Sequence, residues 1–239
     1  LYDGVAHSGT QLLVGHGVGI SGSNVIGGGY STLVANGATA LQAQVYGSGS
    51  SVTSFQWQAS ASQWLIGQAG GSSGYSHVST LSTSGMQKVV DLPGLVSGQV
   101  TAMHTNSTHI WAATGGVQGG AGNFGATGTG ILQGTFLPNG SVEWQFGWTL
   151  PGNTLASDLY QQGTDLYIAS NPGGMLKLDT STRTISALSG ALHNKFDTVH
   201  TYNNQLVIGL AGDGGSPPGV QMFNLNTDQF GNGRLIAGL

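Results

Sequence analysis

The chain has 239 residues, enough for one large or two smaller domains, and only 6% of them are charged, with a net charge of -4. Five basic residues exclude a nucleic-acid binder, which must neutralise phosphates, and disfavour an anionic membrane surface. Cys is absent, so disulfides and thiolate chemistry are excluded, and no stretch is apolar for the roughly 18 residues a membrane helix needs.

From Gly4 to Gln87 there is no Asp, Glu, Lys or Arg, so the polar surface there must consist of hydroxyls, amides and backbone. Gly makes up 43 of 239 residues but follows no three-residue period, which excludes a collagen-like chain. Low net charge with recurring Trp, Tyr and Phe argues against disorder. The hydroxyl-rich, Lys-poor composition is the kind found outside cells, so an extracellular or cell-surface location is expected. The chain begins at Leu1 without Met or a leader, as a mature form or an excised piece would.

One apolar stretch recurs along the chain. Leu12-Leu13-Val14-Gly15-His16 comes first, then Trp64-Leu65-Ile66-Gly67-Gln68 and Ile110-Trp111-Ala112-Ala113-Thr114. Leu166-Tyr167-Ile168-Ala169-Ser170 and Leu206-Val207-Ile208-Gly209-Leu210 complete the set. Three apolar residues in a row predict a strand buried on both faces. The small fourth residue predicts a close approach by a neighbour.

Alignment on this strand divides the chain into units of about 1–51, 52–99, 100–154, 155–195 and 196–239. In the first unit, Thr32-Leu33-Val34 and Leu41 to Val45 are expected as outer strands. In the second, Val78 to Leu81 and Lys88 to Leu92 take those places. The third unit shows the pattern most fully. Val100 to His104 is a first strand, Asn106-Ser107-Thr108 a turn, and Ile110 to Ala113 the second strand. A Gly-rich loop runs from Gly115 to Gly130. Ile131 to Phe136 then leads through the Asn139-Gly140 hairpin turn to Val142 to Phe146. The fourth unit gives Leu155 to Gln161, Leu166 to Ser170, Met175 to Asp179 and Thr184 to Leu188. The fifth gives Phe196 to Tyr202, Leu206 to Leu210, Val220 to Leu225 and Arg234 to Ala237. No segment keeps a helical period, so almost no helix is expected.

Repeats of this length with four strands point to an all-β chain. The expected fold is a five-bladed β-propeller of four-stranded antiparallel blades, forming a single domain over 1–239. Blades bury both faces by stacking around an axis, and here the ring would close through blade-to-blade packing alone.

The order of strand, turn, second strand and Gly-led third strand resembles the two-component-regulator type propeller repeat. Leu166 to Ser170 followed by Gly174-Met175-Leu176-Lys177-Leu178-Asp179 carries the resemblance best, and Ile110 to Thr114 comes next. The long Gly-rich loops of the first and third units depart from that pattern. The resemblance implies a propeller and a sensing or binding role, and it brings no catalytic residues.

Loops between second and third strands, and those leading to the next unit, are expected to open on one face. That face would gather Gly17–Gly29, Gly70–Gly74, Gly115–Gly130, Asn171–Gly174 and Gly212–Gly219. Their exposed backbone suits a hydroxyl-rich ligand such as a carbohydrate, or a protein partner. The candidate ligand-binding residues are Tyr30, Tyr75, Phe124, Asn171 and Asp213. The aromatics are singled out for stacking because they lie in Gly-rich surroundings. Trp57, Trp64, Trp111, Trp144 and Trp148 lie on predicted strands and are expected in the core.

No Gly-Lys-Ser/Thr follows the Gly-rich loops and no helix opens after them, so neither a phosphate loop nor a dinucleotide fingerprint is present. His104, Tyr160 and His200 share one column on the first strands, with Ala6 and Gln58 in the other units. They are expected to line a wet channel or satisfy buried backbone. His spacing suggests no metal, and Asp213-Gly214-Gly215 starts no calcium-ligand series. No cofactor is expected.

Asp3, Asp158 and Asp197 lie near first-strand starts. As capping groups they would serve structure; as a carboxylate patch they would suit a glycosidase- or lyase-type enzyme. The leading expectation is a binding module. Such an enzyme, or a purely structural propeller within a larger surface protein, are the alternatives. Asn106-Ser107-Thr108 and Asn139-Gly140-Ser141 fit the N-glycosylation sequence.

Overall fold

The small fourth residue of the recurring stretch lies where each first strand takes on an extra residue, and the sheets are built around that irregularity. In a computed structural model the described residues are 2–8, 11–16, 19–21, 24–26, 29–34, 42–45, 52–68, 77–82, 85–91, 99–115, 130–138, 141–152, 154–212 and 217–235.

The first sheet comprises β1 (Tyr2–Ser8), β2 (Gln11–His16), β5 (Gly29–Val34) and β6 (Gln42–Val45), in that order. The second comprises β7 (Val52–Gln58), β8 (Gln63–Gln68), β9 (His77–Ser82) and β10 (Gly85–Asp91). The third is β11 (Gln99–Thr105), β12 (His109–Gly115), β13 (Gly130–Phe136) and β14 (Val142–Thr149). The fourth is β15 (Leu155–Gln162), β16 (Asp165–Asn171), β17 (Gly174–Asp179) and β18 (Thr184–Ala187). The fifth is β19 (Phe196–Tyr202), β20 (Gln205–Leu210), β21 (Gly219–Asn224) and β22 (Gln229–Leu235).

Among the described residues these are five four-stranded antiparallel sheets; four are sequential meanders, and in the first β3 and β4 intervene between β2 and β5. Their first strands start at or beside the expected boundaries. Helix is confined to the 3-10 turn Ala59–Ala61 among the described residues.

Several details differ from expectation: β5 starts at Gly29 rather than Thr32, and β10 at Gly85 rather than Lys88. Part of the Gly-rich segment 17–29 pairs as a small hairpin of β3 (Gly19–Ser21) and β4 (Asn24–Ile26), with Ile20 opposite Val25. The β-branched Ile20, Val25 and Ile26 favour strand despite the surrounding Gly. The last strand also starts earlier than Arg234, at Gln229. Phe230 holds it there by edge-to-face contact with Phe223 at 5.0 Å and Phe196 at 6.1 Å.

The chain divides into two compact units, Leu1–Gly147 and Trp148–Leu239. In the first, Leu65 and Val78 of the second sheet pack against Val100, Met103, Ile110, Ala112 and Leu132 of the third. Trp64 and Trp111 are buried, as expected of strand tryptophans, and Trp57, Trp144 and Trp148 are half-buried. Trp57 and Trp64 meet edge to face at 5.1 Å. In the second unit, Tyr167, Ala169 and Met175 of the fourth sheet pack against Phe196, Val199, Leu206, Ile208, Leu210 and Phe223 of the fifth. Alternate residues of a second strand thus serve opposite faces, which is why an unbroken apolar run was needed.

All five first strands carry a register shift at the same place. It falls between Tyr2 and Gly4, Val52 and Ser54, Val100 and Ala102, Ala156 and Asp158, and Phe196 and Thr198. The extra residues are Asp3, Thr53, Thr101, Ser157 and Asp197, every one of them polar. A bulge of this kind bends the strand and increases its twist. In two of the five the extra residue also reaches the next sheet. Thr53 Oγ1 donates to the Val100 carbonyl, and Ser157 Oγ donates to the Phe196 carbonyl and, at 3.2 Å, to Ala169 O. Both accepting carbonyls belong to the residue just before a bulge.

Opposite the bulge sits the small residue. A Cβ on Gly67 would lie 2.2 Å from Ser54 Oγ and 2.8 Å from Val100 Cγ1, and one on Gly209 would lie 2.8 Å from Thr198 Cγ2. The inferred close approach is therefore real, and it has two sources: the partner strand and, at Gly67, the next sheet.

Gly67→Val will destabilise the chain by roughly 1–3 kcal/mol through overpacking. An unchanged denaturation midpoint would contradict this reading. Thr53→Val keeps the shape but removes the donor to Val100, and a loss of about 1 kcal/mol is expected by the same measurement.

Candidate functional site

The connection between β16 and β17 is the best described of the loops expected to form a ligand face. Asn171 ends β16, half-buried and opposite Leu155. The next two residues, Pro172 and Gly173, complete the turn. The N–H groups of Gly173 and Gly174 both donate to the Asn194 carbonyl, at 3.0 and 2.9 Å. Ser170 Oγ donates to Gly174 O at 2.7 Å. A Cβ on Gly173 would lie 2.7 Å from Ser170 Oγ and 2.9 Å from Thr154 Cγ2, and φ there is +135°. Only Gly satisfies both the angle and the space.

Asn194 belongs to the connection between β18 and β19. The two kinds of loop expected on one face are thus bonded together in the second unit. The same contact consumes two backbone donors that a ligand would otherwise use. Gln221 secures the rest of this connection: its Oε1 accepts from Leu192 N at 2.9 Å, and its Nε2 donates to Gly190 O at 3.3 Å.

Of the other candidates, Tyr30 stands within β5, opposite Gly15 and Gln44, so it belongs to a strand. Tyr75, Phe124 and Asp213 lie outside the described residues. The first-strand column needs one correction. Register places Gln56, not Gln58, in line with Ala6, His104, Tyr160 and His200, because each of these is opposite the second residue of the recurring stretch. Gln58 is buried, and its Oε1 accepts from Gln63 Nε2 at 2.7 Å. His104 and Trp111 rings meet at 6.3 Å.

Asp158 is a structural tie. Its Oδ2 accepts from Val199 N at 2.8 Å and Thr198 Oγ1 at 2.9 Å, and its Oδ1 from Leu159 N at 2.8 Å. It thus joins the fourth sheet to the fifth. Burial raises its pKa above the ordinary carboxylate value, against the lowering effect of these donors. Asp197 is exposed at its bulge, and Asp3 holds the corresponding place in β1. Among the described residues no three of His, Asp and Glu gather as metal ligands.

The sequence reading missed a charged cluster in the second unit. Lys177 Nζ contacts Asp228 Oδ2, and lies 3.4 Å from Asp165 Oδ2. Tyr167 Oη donates to Asp228 Oδ1 at 2.7 Å. Burial raises the Tyr167 pKa, and the hydrogen bond to Asp228 raises it further. Burial opposes ionisation of Asp228, but the Lys177 ammonium and the Tyr167 hydroxyl outweigh it and hold its pKa below the ordinary value. Asp228 stands in the β21–β22 turn at φ +52°, far from Lys177 in sequence. A local pattern search has no reason to join them. The available signal was Lys177 itself, a rare cation on a mostly buried strand.

No family model and no curated relative matches the chain. Solved structures do resemble it. The Pan2 WD40 domain of Neurospora crassa aligns with a TM-score of 0.66 at 15% identity, over 99% of this chain and 66% of that one. A nidogen/laminin complex gives 0.60 at 12%, over 95% and 76%. The extracellular domain of a putative one-component system from B. thetaiotaomicron gives 0.59 at 13%, over 86% and 25%. The chain is thus shorter than these chains, spanning about two thirds of the first and a quarter of the last. The likeness is one of fold, and it makes this an all-β, propeller-like chain of four-stranded antiparallel sheets.

The charged cluster sets a pH dependence. Because the folded pKa of Asp228 is lowered, its contribution is fully present above the unfolded value, near 3.8, and is lost as pH falls through the folded value. Asp228→Asn will therefore flatten this part of the acid limb when urea midpoints are compared over a pH series. Parallel curves for the two proteins would remove Asp228 from the acid response.

Proposed function

We propose that this chain is an extracellular or cell-surface binding module. Its five sheets act as the blades of one closed β-propeller domain spanning 1–239, and it takes a carbohydrate or protein ligand on the face formed by the Gly-rich loops. The observation that carries the reading is positional. In all five sheets the variable, Gly-rich segment occupies one slot, between the recurring second strand and the strand that follows it. A scaffold held constant while one loop slot varies is the usual arrangement of a binding surface.

The near absence of charge supports an uncharged, hydroxyl-rich ligand, for which amide, hydroxyl and aromatic groups are the natural partners. Tyr30, Tyr75, Phe124, Asn171 and Asp213 are the proposed contacts, with Tyr75 and Phe124 as stacking groups. A protein ligand is favoured by a different observation: similar folds have been solved within protein complexes. The carboxylate chemistry of a hydrolase draws less support, since both oxygens of Asp158 are already engaged in joining sheets.

A glycan array and a pull-down with the purified chain will separate the two ligand classes. Replacing Tyr75 and Phe124 together by Ala should weaken binding while leaving the thermal midpoint nearly unchanged. Binding should depend little on salt, since screening acts on charges. Retained affinity in the double variant would remove the aromatics from the site. A steep salt dependence would transfer it to Asp197, Lys195 and Asp213.

A further inference from the structure

The turn between β11 and β12 carries a second kind of site. Asn106, Ser107 and Thr108 are all exposed. Asn106 Oδ1 accepts from the backbone N–H of Thr108 at 2.8 Å and of His109 at 2.7 Å, and from Thr108 Oγ1 at 3.1 Å. Thr108 Oγ1 also lies 2.7 Å from His109 Nδ1. The backbone closes around this arrangement, with Asn106 N donating to His109 O at 3.0 Å and Phe136 N to Thr108 O at 2.9 Å. The carboxamide and the hydroxyl of an Asn-X-Thr sequence are therefore held side by side at an exposed hairpin tip, and the middle residue is not Pro.

We propose that Asn106 is an N-glycosylation site in the folded protein, modified by an oligosaccharide carried on a polyprenyl diphosphate. In the transfer, Asn106 Nδ2 attacks the anomeric carbon of the first sugar. The new C–N bond forms as the bond from that carbon to the diphosphate oxygen breaks. The polyprenyl diphosphate leaves with the electron pair, and Nδ2 gives up one of its two protons. No oxidant or reductant is involved.

The product fits the turn. Glycosylation leaves Oδ1 an amide oxygen, so its three hydrogen bonds persist, and the nitrogen retains one proton. A bulky, hydrated group on this tip stands clear of the buried residues of β12, which begin at Ile110. The site is independent of the proposed ligand and rests on the extracellular reading only for its occurrence in the cell.

The test uses the full chain carrying Asn139→Gln, which removes the other acceptor sequence. Folded protein is incubated with an oligosaccharyltransferase and a lipid-linked oligosaccharide, beside a control acceptor peptide, and Asn106 occupancy is read by peptide mapping. Glycan is expected on Asn106. It should disappear in Asn106→Asp, which preserves an acceptor oxygen for the turn, and in Thr108→Val, which preserves the side-chain shape. Circular dichroism of both variants confirms their fold. An unmodified Asn106 while the control peptide is modified would overturn the proposal. So would equal occupancy in Thr108→Val, or modification only after unfolding in urea.

Discussion

The interaction on which the rest depends is a hydroxyl meeting a carbonyl across two sheets. Thr53 reaches Val100, and Ser157 reaches Phe196, each from the extra residue of one bulge to the residue before the next. A bulge disrupts the ladder and leaves local backbone groups without strand partners. Buried backbone carbonyls need partners, and the neighbouring sheet supplies them here. The hydroxyl can arrive only if the sheets approach closely, and that approach limits the size of the residue opposite the bulge. Gly67, with Ser54 and Val100 around it, shows this limit directly. At these two seams one joint therefore accounts for the small residue, the polar residue in the first strand and the apolar run between them.

The joint also determines which residues are available for chemistry. Asp158 follows a bulge, and its carboxylate is taken up by Leu159, Thr198 and Val199. Lys177 is engaged by Asp165 and Asp228. In a chain with so few charges, these assignments withdraw several of them from solvent-facing work. The β16–β17 turn shows the same economy with backbone donors, since Gly173 and Gly174 both serve Asn194.

Most of the strand order was legible because it rests on local signals. The five apolar runs, the Asn106 turn and the start of each first strand are patterns of a few adjacent residues. The bulges were not legible, since an extra residue within a strand is defined only by its partner. Gln58 was placed where Gln56 belongs because a fixed interval before the recurring stretch ignores that the β7–β8 connection, with its 3-10 turn Ala59–Ala61, is two residues longer. The early start of β22 depended on Phe230 meeting Phe223 and Phe196 across the sheet. The Lys177–Asp228 contact is likewise set by packing between sheets. Of the candidate site, the loop slots were visible in the spacing of the repeats, whereas the internal use of Gly173 and Gly174 was not.

The carbonyls of Val100 and Phe196 carry very different side chains, yet the hydroxyl that reaches each one treats them alike. A joint that reads main chain is blind to the identity of its partner. Copies of such a unit, once duplicated, can drift in sequence without re-matching their neighbours, provided a polar residue at the bulge and a small residue opposite it are retained. The connection after the second strand is released from the same duty. It ranges from the two residues between Asn171 and Gly174 to the fourteen between Gly115 and Gly130. Selection can thus lengthen or rewrite one loop at a time on an array whose seams tolerate the change.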